Sequence, residues 1–291
     1  MPKQIGNTTL WRMRIVFRTL LALWVLVLVG CATSPYEGEG KVKSDALLRK
    51  QFELAEQRRL TKPEGRLIFA GVAMHSQSKA FRSDVRLAEK TVLAIDPNAI
   101  IFKLDNPTLG QDADWPYATA ENFSLVLRQV GTMARSVDKV VLLISTHGNA
   151  GLLAINFDGR NYPDINVKWL NQSLAVLRDS PILLLLSACY SGSFVEPLSS
   201  PNRIILTAAA KDRNSFGCQF HSTNTYFMDA LLNQPSMMSR SIVQIMEQAK
   251  VDVDQRERKQ KLSPPSLPQM SIGGAVKAWA DEPLNSWLNL E

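Results

Sequence analysis

Cysteine and histidine are scarce, with three of each in 291 residues. No CxxC pair and no His-rich cluster occurs, so neither a metal site nor a metal cofactor is expected. Excess charge of one sign is also missing once the N-terminus is set aside. The formal net charge is +6, from 33 Lys+Arg against 27 Asp+Glu. Lys3, Arg12, Arg14 and Arg18 lie in the first eighteen residues with no acid among them. Subtracting those four from 33 leaves 29 basic side chains against 27 acidic ones, a net of +2. A nearly neutral body carries no basic patch, so nucleic acid is not an expected partner. The apolar run Leu20 to Val29 is too short for a comfortable transmembrane helix. No internal repeat or low-complexity segment is visible.

What stands at the N-terminus reads as targeting rather than fold. The four positive charges precede the apolar run, and Leu28-Val-Gly-Cys31 follows it. That tetrapeptide matches the lipobox of bacterial lipoproteins, in which the Cys becomes the lipidated first residue. Ala32, not Asp, follows Cys31. The expected location is therefore the cell envelope, facing the periplasm, with the outer membrane favoured over the inner. An uncleaved signal anchor is the alternative. The expected division is a signal peptide over residues 1–31, a tether and amphipathic helix over 32–64, a catalytic domain over 65–276 and a tail over 277–291. A single domain of that size buries a full core. Leu47, Leu48, Phe52 and Ala55 form the apolar face of the early helix, expected over Ser44–Leu60 with Ser44 as its N-cap.

The body alternates strand and helix. Strands are expected at 66–73, 99–104, 139–145, 182–187, 203–208 and 269–272, with helices at 81–94, 118–135, 165–177, 224–232 and 239–261. Leu152–Phe157 with Asp158-Gly159 reads as a hairpin arm. Such alternation predicts an α/β fold with a parallel sheet covered on both faces. Two of the strands end on reactive residues. Val140 to Ser145 runs into Thr146-His147-Gly148, and Ile182 to Ser187 runs into Ala188-Cys189-Tyr190-Ser191-Gly192. Continuous apolar runs of this length are buried strands. The carboxyl ends of parallel strands form the ligand crevice, so His147 and Cys189 are expected at one rim. A thiol beside an imidazole is a nucleophile with its proton-transfer partner. The alternative for Cys189 is a disulfide with Cys218, which an oxidising periplasm permits but which would consume the nucleophile. Asn149 and Asp158 could orient His147, although loop turns account for both. His75 follows the first strand and could line the same rim, and His221 sits near Cys218 in a loop; both read as structural or exposed rather than catalytic.

Several blocks, in order, carry a family resemblance: Ser145-Thr-His-Gly148, Ser187-Ala-Cys-Tyr-Ser-Gly-Ser193, Leu206-Thr-Ala-Ala209, Ser215-Phe-Gly-Cys218, Thr225-Tyr-Phe-Met-Asp229 and Pro265-Ser-Leu-Pro-Gln269. Over roughly Gly65 to Gly274 the chain resembles the legumain-like C13 cysteine peptidases of the caspase-like clan, and their bacterial lipoprotein members above all. The resemblance implies a caspase-like three-layer sandwich with a mostly parallel, roughly six-stranded sheet. It implies a lipid-anchored cysteine endopeptidase with Cys189 as nucleophile, His147 as acid and base, and the backbone N–H groups of Gly148 and Cys189 as oxyanion hole. The implied partner is a peptide or protein substrate, and oligomeric state is left open. For the pocket that receives the residue before the cut, the resemblance points to Asn214, Ser215 and Asp229, with Arg82 as a loose candidate. Eukaryotic relatives carry Glu two residues before the nucleophile, where this chain has Ser187. Asparagine leads the expected preferences for the residue before the cut, with other polar or basic side chains behind it. The short tail with Trp279 and Trp287 does not match the large C-terminal prodomain of vacuolar relatives, so activation by its removal is not expected. The same dyad would serve a transpeptidase or transamidase. A catalytically silent envelope scaffold is the reading from a different class.

Overall fold

The computed structural model describes residues 37–61, 65–108, 113–219 and 221–288. The expected signal peptide, Cys31 and most of the tether lie outside these residues. Among the described residues there are nine strands and eight α-helices. The strands are β1 (Leu67–Ala73), β2 (Ile100–Asp105), β3 (Lys139–Ser145), β4 (Gly148–Asn149), β5 (Leu152–Phe157), β6 (Arg160–Asn166), β7 (Ile182–Ser187), β8 (Arg203–Thr207) and β9 (Gln269–Ile272). The helices are α1 (Gly38–Thr61), α2 (Lys79–Ile95), α3 (Ala120–Met133), α4 (Val167–Ser173), α5 (Val195–Leu198), α6 (Tyr226–Leu232), α7 (Ile242–Lys259) and α8 (Lys277–Asp281).

Six strands form the main sheet in the order β2-β1-β3-β7-β8-β9. All neighbours are parallel except β8 and β9. Side chains alternate across a strand, and the core divides accordingly. Even-numbered residues of the central strands, such as Val72, Leu142, Ile144, Leu184 and Leu186, pack with α1 and α3. Odd-numbered ones, such as Phe69, Ala73, Val141, Leu143 and Leu185, pack with α2, α6 and α7. The molecule is thus an α/β three-layer sandwich, and β1, β3 and β7 are buried on both faces.

The early helix starts at Gly38, upstream of the expected boundary. Ser44 is therefore not its N-cap: it lies inside α1, and its hydroxyl accepts hydrogen bonds from Tyr117 N and Asn122 Nδ2. The helix covers the edge strand β2, where the Gln51 amide donates to Lys103 O at 3.0 Å and accepts from Lys103 N at 2.8 Å. That side chain does what a further strand would do for an open edge. Arg59 fastens the same helix to Asp138 at 2.6 Å, with the Asp138 side chain fully buried.

One further correction concerns a polar segment. The segment begun at Ile165 was expected to be helical throughout. Instead β6 occupies 160–166 and α4 starts at Val167. Asp158 and Gly159 both have positive φ, 51° and 73°, the tight turn that returns a strand antiparallel to β5. The short C-terminal segment packs on the body: Trp279 and Trp287 are buried against the α2 face of the sheet, their rings 5.1 Å apart.

Candidate active site

The site grows from the odd-numbered positions of three neighbouring strands. Ala73, Ser145 and Ser187 are aligned in register across β1, β3 and β7. Two residues past each of them stand His75, His147 and Cys189. The ladder outlasts the strands, since Met74 N donates to Ser145 O and Thr146 N to Ser187 O. Alternation therefore carries the chemistry-bearing side chains past the sheet rim on the α2 face.

His147 is half-buried between two rings. The His75 ring stands perpendicular to it at 4.5 Å, and the Phe81 ring lies 5.0 Å away at 81°. Burial lowers the pKa of His147. Burial and then the neighbouring His147 push His75 down to about 4, so His75 is a neutral ring at physiological pH. Its Nδ1 accepts from Gln77 N at 3.4 Å, which leaves the proton on Nε2. Neither of the orienting residues considered from sequence reaches His147. Asn149 caps its own turn through Ala150 N, and Asp158 sits at the β5–β6 turn.

Cys189 follows β7 directly. Its sulfur receives Ser215 N–H at 3.3 Å and lies 3.5 Å from Ser215 O and 3.6 Å from Ser215 Oγ. Tyr190 takes a left-handed conformation at φ 56°, uncommon for a residue with a side chain. The bend is held by Tyr190 N donating to Arg213 O at 2.7 Å. It turns the chain sharply away and leaves the thiol at the rim. No hydrogen bond joins the thiol to the imidazole among the described residues.

Gly148 locks the two loops together. A Cβ at this position would lie 2.6 Å from Cys189 O and 3.1 Å from Ala188 Cβ. Only a glycine lets the segment after His147 pack on the nucleophile's backbone. The register sets where its N–H points. Ala154 N donates to His147 O, which makes 147/154 a hydrogen-bonded pair. The next pair, Gly148/Leu153, is then a non-bonded one, and the Gly148 N–H faces away from β5. Among the described residues none accepts a hydrogen bond from the N–H of Cys189, which lies past the end of the β3–β7 ladder.

The remaining candidates are spread more widely. Ser215 touches the sulfur, and Asn214 beside it is exposed. Ser187 is buried beneath Cys189, its hydroxyl 2.9 Å from Thr225 Oγ1 and 3.5 Å from Asp84 Oδ2. Arg82 is not brought to the thiol. It bonds Asp105 at 2.8 Å and Asp114, stacks on Trp115, and lines a separate polar cavity of about 250 Å³ at the end of β2. Asp229 is likewise committed elsewhere: it accepts from Arg256 at 2.8 Å and Asn233 at 2.6 Å, on the α7 side of α6. The reason is shared, since each charged group has found an opposite charge away from the thiol. Cys189 and Cys218 are both free thiols, so no disulfide consumes the candidate nucleophile. Burial, followed by the nearby Cys189, raises the pKa of Cys218.

The rim position considered for His75 is where the structure places it, against His147, whereas sequence reasoning missed Phe81 and Asp84. For His75 a signal existed: it lies as far beyond the end of β1 as His147 lies beyond β3. Phe81 and Asp84 come from a helix whose facing is fixed only by packing. Among the described residues no cluster of His, Cys, Asp and Glu could hold a metal ion, and no helix is long and apolar enough to cross a membrane.

Comparison with known proteins gives one family. Residues 117–276, more than half of the chain, match the model of the Peptidase C13 family. No curated protein matches the chain. Among solved structures, the chain is similar to the crystal structure of caspase-1 from Spodoptera frugiperda, at 13% identity and a TM-score of 0.49, over 72% of this chain and 86% of that one.

Proposed function

The chain belongs to the peptidase C13 family, and from that premise we propose a cysteine endopeptidase tethered to the bacterial cell envelope by a lipid on Cys31. Family membership supports a cysteine-peptidase type of function. The observation that carries the finer reading is the packing of Gly148 against the Cys189 carbonyl, which sets imidazole and thiol on adjoining loops of one rim.

In this reading the Cys189 sulfur attacks a peptide carbonyl and forms a thioester as the amide bond breaks. His147 transfers the proton to the leaving amine, then takes one from the water that releases the acid and frees the thiol. The carbonyl oxygen gains negative charge where the Gly148 and Cys189 N–H groups are available. Ser215 N–H, directed at the sulfur, suits a sulfur that carries charge at the start of attack. Ser215 at the thiol, with Asn214 next to it in the chain, favours a side chain that exchanges hydrogen bonds before the cut, with asparagine the leading candidate. Lipid anchoring rests on Leu28-Val-Gly-Cys31 and the basic segment ahead of it.

The test is cleavage of a peptide library read by mass spectrometry, with an added amine to capture acyl transfer. Wild-type protein should cut, and Cys189→Ala and His147→Ala should each lose turnover while keeping the fold. Because the two residues act as a unit, the double variant should be little worse than either single one. Turnover that survives in Cys189→Ala would remove the nucleophile assignment. Products joined to the amine in preference to free acids would move the reading to transpeptidation.

A further inference from the structure

Beneath the rim lies a carboxylate that the mechanism above does not use. Asp84, on α2, is fully buried. Its Oδ1 accepts from Thr225 N at 3.0 Å and from Asn224 Nδ2 at 3.1 Å. Its Oδ2 accepts from Ser145 Oγ at 2.7 Å, Thr225 Oγ1 at 2.9 Å and Ser187 Oγ at 3.5 Å. Thr225 is also the N-cap of α6, its hydroxyl accepting from Met228 N. One side chain therefore joins α2, the last residues of β3 and β7, and the start of α6.

The placement is specific to the candidate chemistry. Ser145 and Ser187 are register partners, and each stands two residues before a reactive side chain on the same sheet face. The carboxylate thus spans the gap between the strand ends that present His147 and Cys189. Among the described residues no ion pair includes Asp84, and the titratable group that bears on it from a neighbouring segment is the Cys218 thiol. A buried charge without a counter-charge is costly and is held only by hydrogen bonds. Ionised, it is acceptor-only, and its lone pairs can receive both N–H groups and the Ser145 and Thr225 hydroxyls together, with the Ser187 hydroxyl turned to the Thr225 oxygen at 2.9 Å. Protonated, it must itself donate, so at least one of these hydroxyls has to turn away.

We propose that Asp84 is a positioning residue for catalysis, whose ionised carboxylate sets the separation of His147 and Cys189 by gathering the ends of β3 and β7 onto the cap of α6. The proposal rests on the peptidase reading of the same site. Burial pushes the Asp84 carboxyl up to about 6, so the network changes state within the range where enzyme assays are run.

The experiment compares alkylation of Cys189 by two probes across pH 5 to 8, in the full chain. One probe is iodoacetamide, which needs only an accessible thiol. The other is a peptidyl acyloxymethyl ketone, which needs the whole site. In Asp84→Asn the peptidyl probe should react about tenfold to a hundredfold more slowly at pH 7.5, as expected when reacting groups are misplaced by about 1 Å. The iodoacetamide rate should stay within about threefold. The ratio of peptidyl to iodoacetamide rate, which cancels the thiol's own ionisation, should fall below about pH 6 in the wild type and stay flat in the variant. Ser145→Ala and Ser187→Ala each keep the carboxylate and remove one tether. They should give smaller losses in the same probe ratio, and they carry the test if Asp84→Asn does not fold. Equal probe ratios and unchanged pH profiles in all three variants would overturn the role of Asp84. Failure of the wild type itself to take the peptidyl probe on Cys189 would instead overturn the peptidase reading and this role with it.

Discussion

His75 decides how His147 behaves without touching the thiol. Its ring, perpendicular to His147 at 4.5 Å, keeps water from one side of the imidazole. His75→Ala should admit water and raise the His147 titration midpoint toward its ordinary value, while His75→Phe should keep the midpoint low. NMR titration of the His147 ring checks this, and an unmoved midpoint in His75→Ala would assign the dryness to Phe81 alone. A second consequence follows for stability. His75 titrates at about 4 in the fold against an ordinary value near 6.5. The unfolded chain therefore binds this proton more readily, and stability from this group rises with pH between about 4 and 6.5. The gain is no more than about 3 kcal/mol. His75→Phe should flatten that part of the denaturation-against-pH curve relative to wild type. Of these residue-scale features, His147, Gly148 and Cys189 were legible because an apolar run ends on each motif. Ser215 was legible only through family blocks. Asp84 was not, because a charged residue on an amphipathic helix reads as solvated until the helix is packed. Arg82 and Asp229 pair with Asp105 and Arg256, which the sequence did not show for the converse reason: a charge placed by motif says nothing of the partner that captures it.

At the scale of elements, buried strands were the easiest to read and polar ones the hardest. β3 and β7 have runs of Val, Ile and Leu long enough to identify alone. β6, Arg160-Asn-Tyr-Pro-Asp-Ile-Asn166, has a single buried side chain and owes its form to the hairpin turn before it. The helix α1 was visible, but not its work in closing the sheet edge. That work is testable. Arg59→Ala strands the Asp138 charge in the interior, where it also accepts from Arg66 N and Arg135 N. Removing one partner of a buried pair typically costs about 3–5 kcal/mol, and chemical denaturation should show a loss of that order. Gln51→Ala leaves the Lys103 backbone unpaired at the edge. It should cost about 1 kcal/mol and promote concentration-dependent association visible by light scattering. The reverse order of effects would mean that α1 is held by its apolar face alone. The C-terminal segment makes the same point. Trp287, 4% exposed, should cost about 3–5 kcal/mol when cut to Ala, where a loose tail would cost nothing.

For the whole molecule the question is how far the site can reach from a membrane. Helix α1 begins at Gly38, seven residues after Cys31. However those residues are arranged, a chain spans at most about 3.5 Å per residue, so the lipid and the start of the helix are within about 25 Å. If Cys31 carries acyl chains, their transfer energy of about 0.8 kcal/mol per buried methylene holds the catalytic body close to the bilayer. Substrates within that reach are favoured by effective concentration rather than by contact. Cys31→Ala should abolish incorporation of labelled fatty acid and release the protein from the envelope fraction, while cleavage of a soluble peptide stays at the wild-type rate. A flexible Gly/Ser insertion between Ser34 and Glu37 should leave both lipidation and peptide cleavage intact and widen the set of envelope proteins cut, read by comparing N-terminal peptides from cells carrying each form. Lipid labelling that persists in Cys31→Ala would remove the anchor. An unchanged substrate set with the longer linker would show that recognition, and not distance from the membrane, selects what is cut.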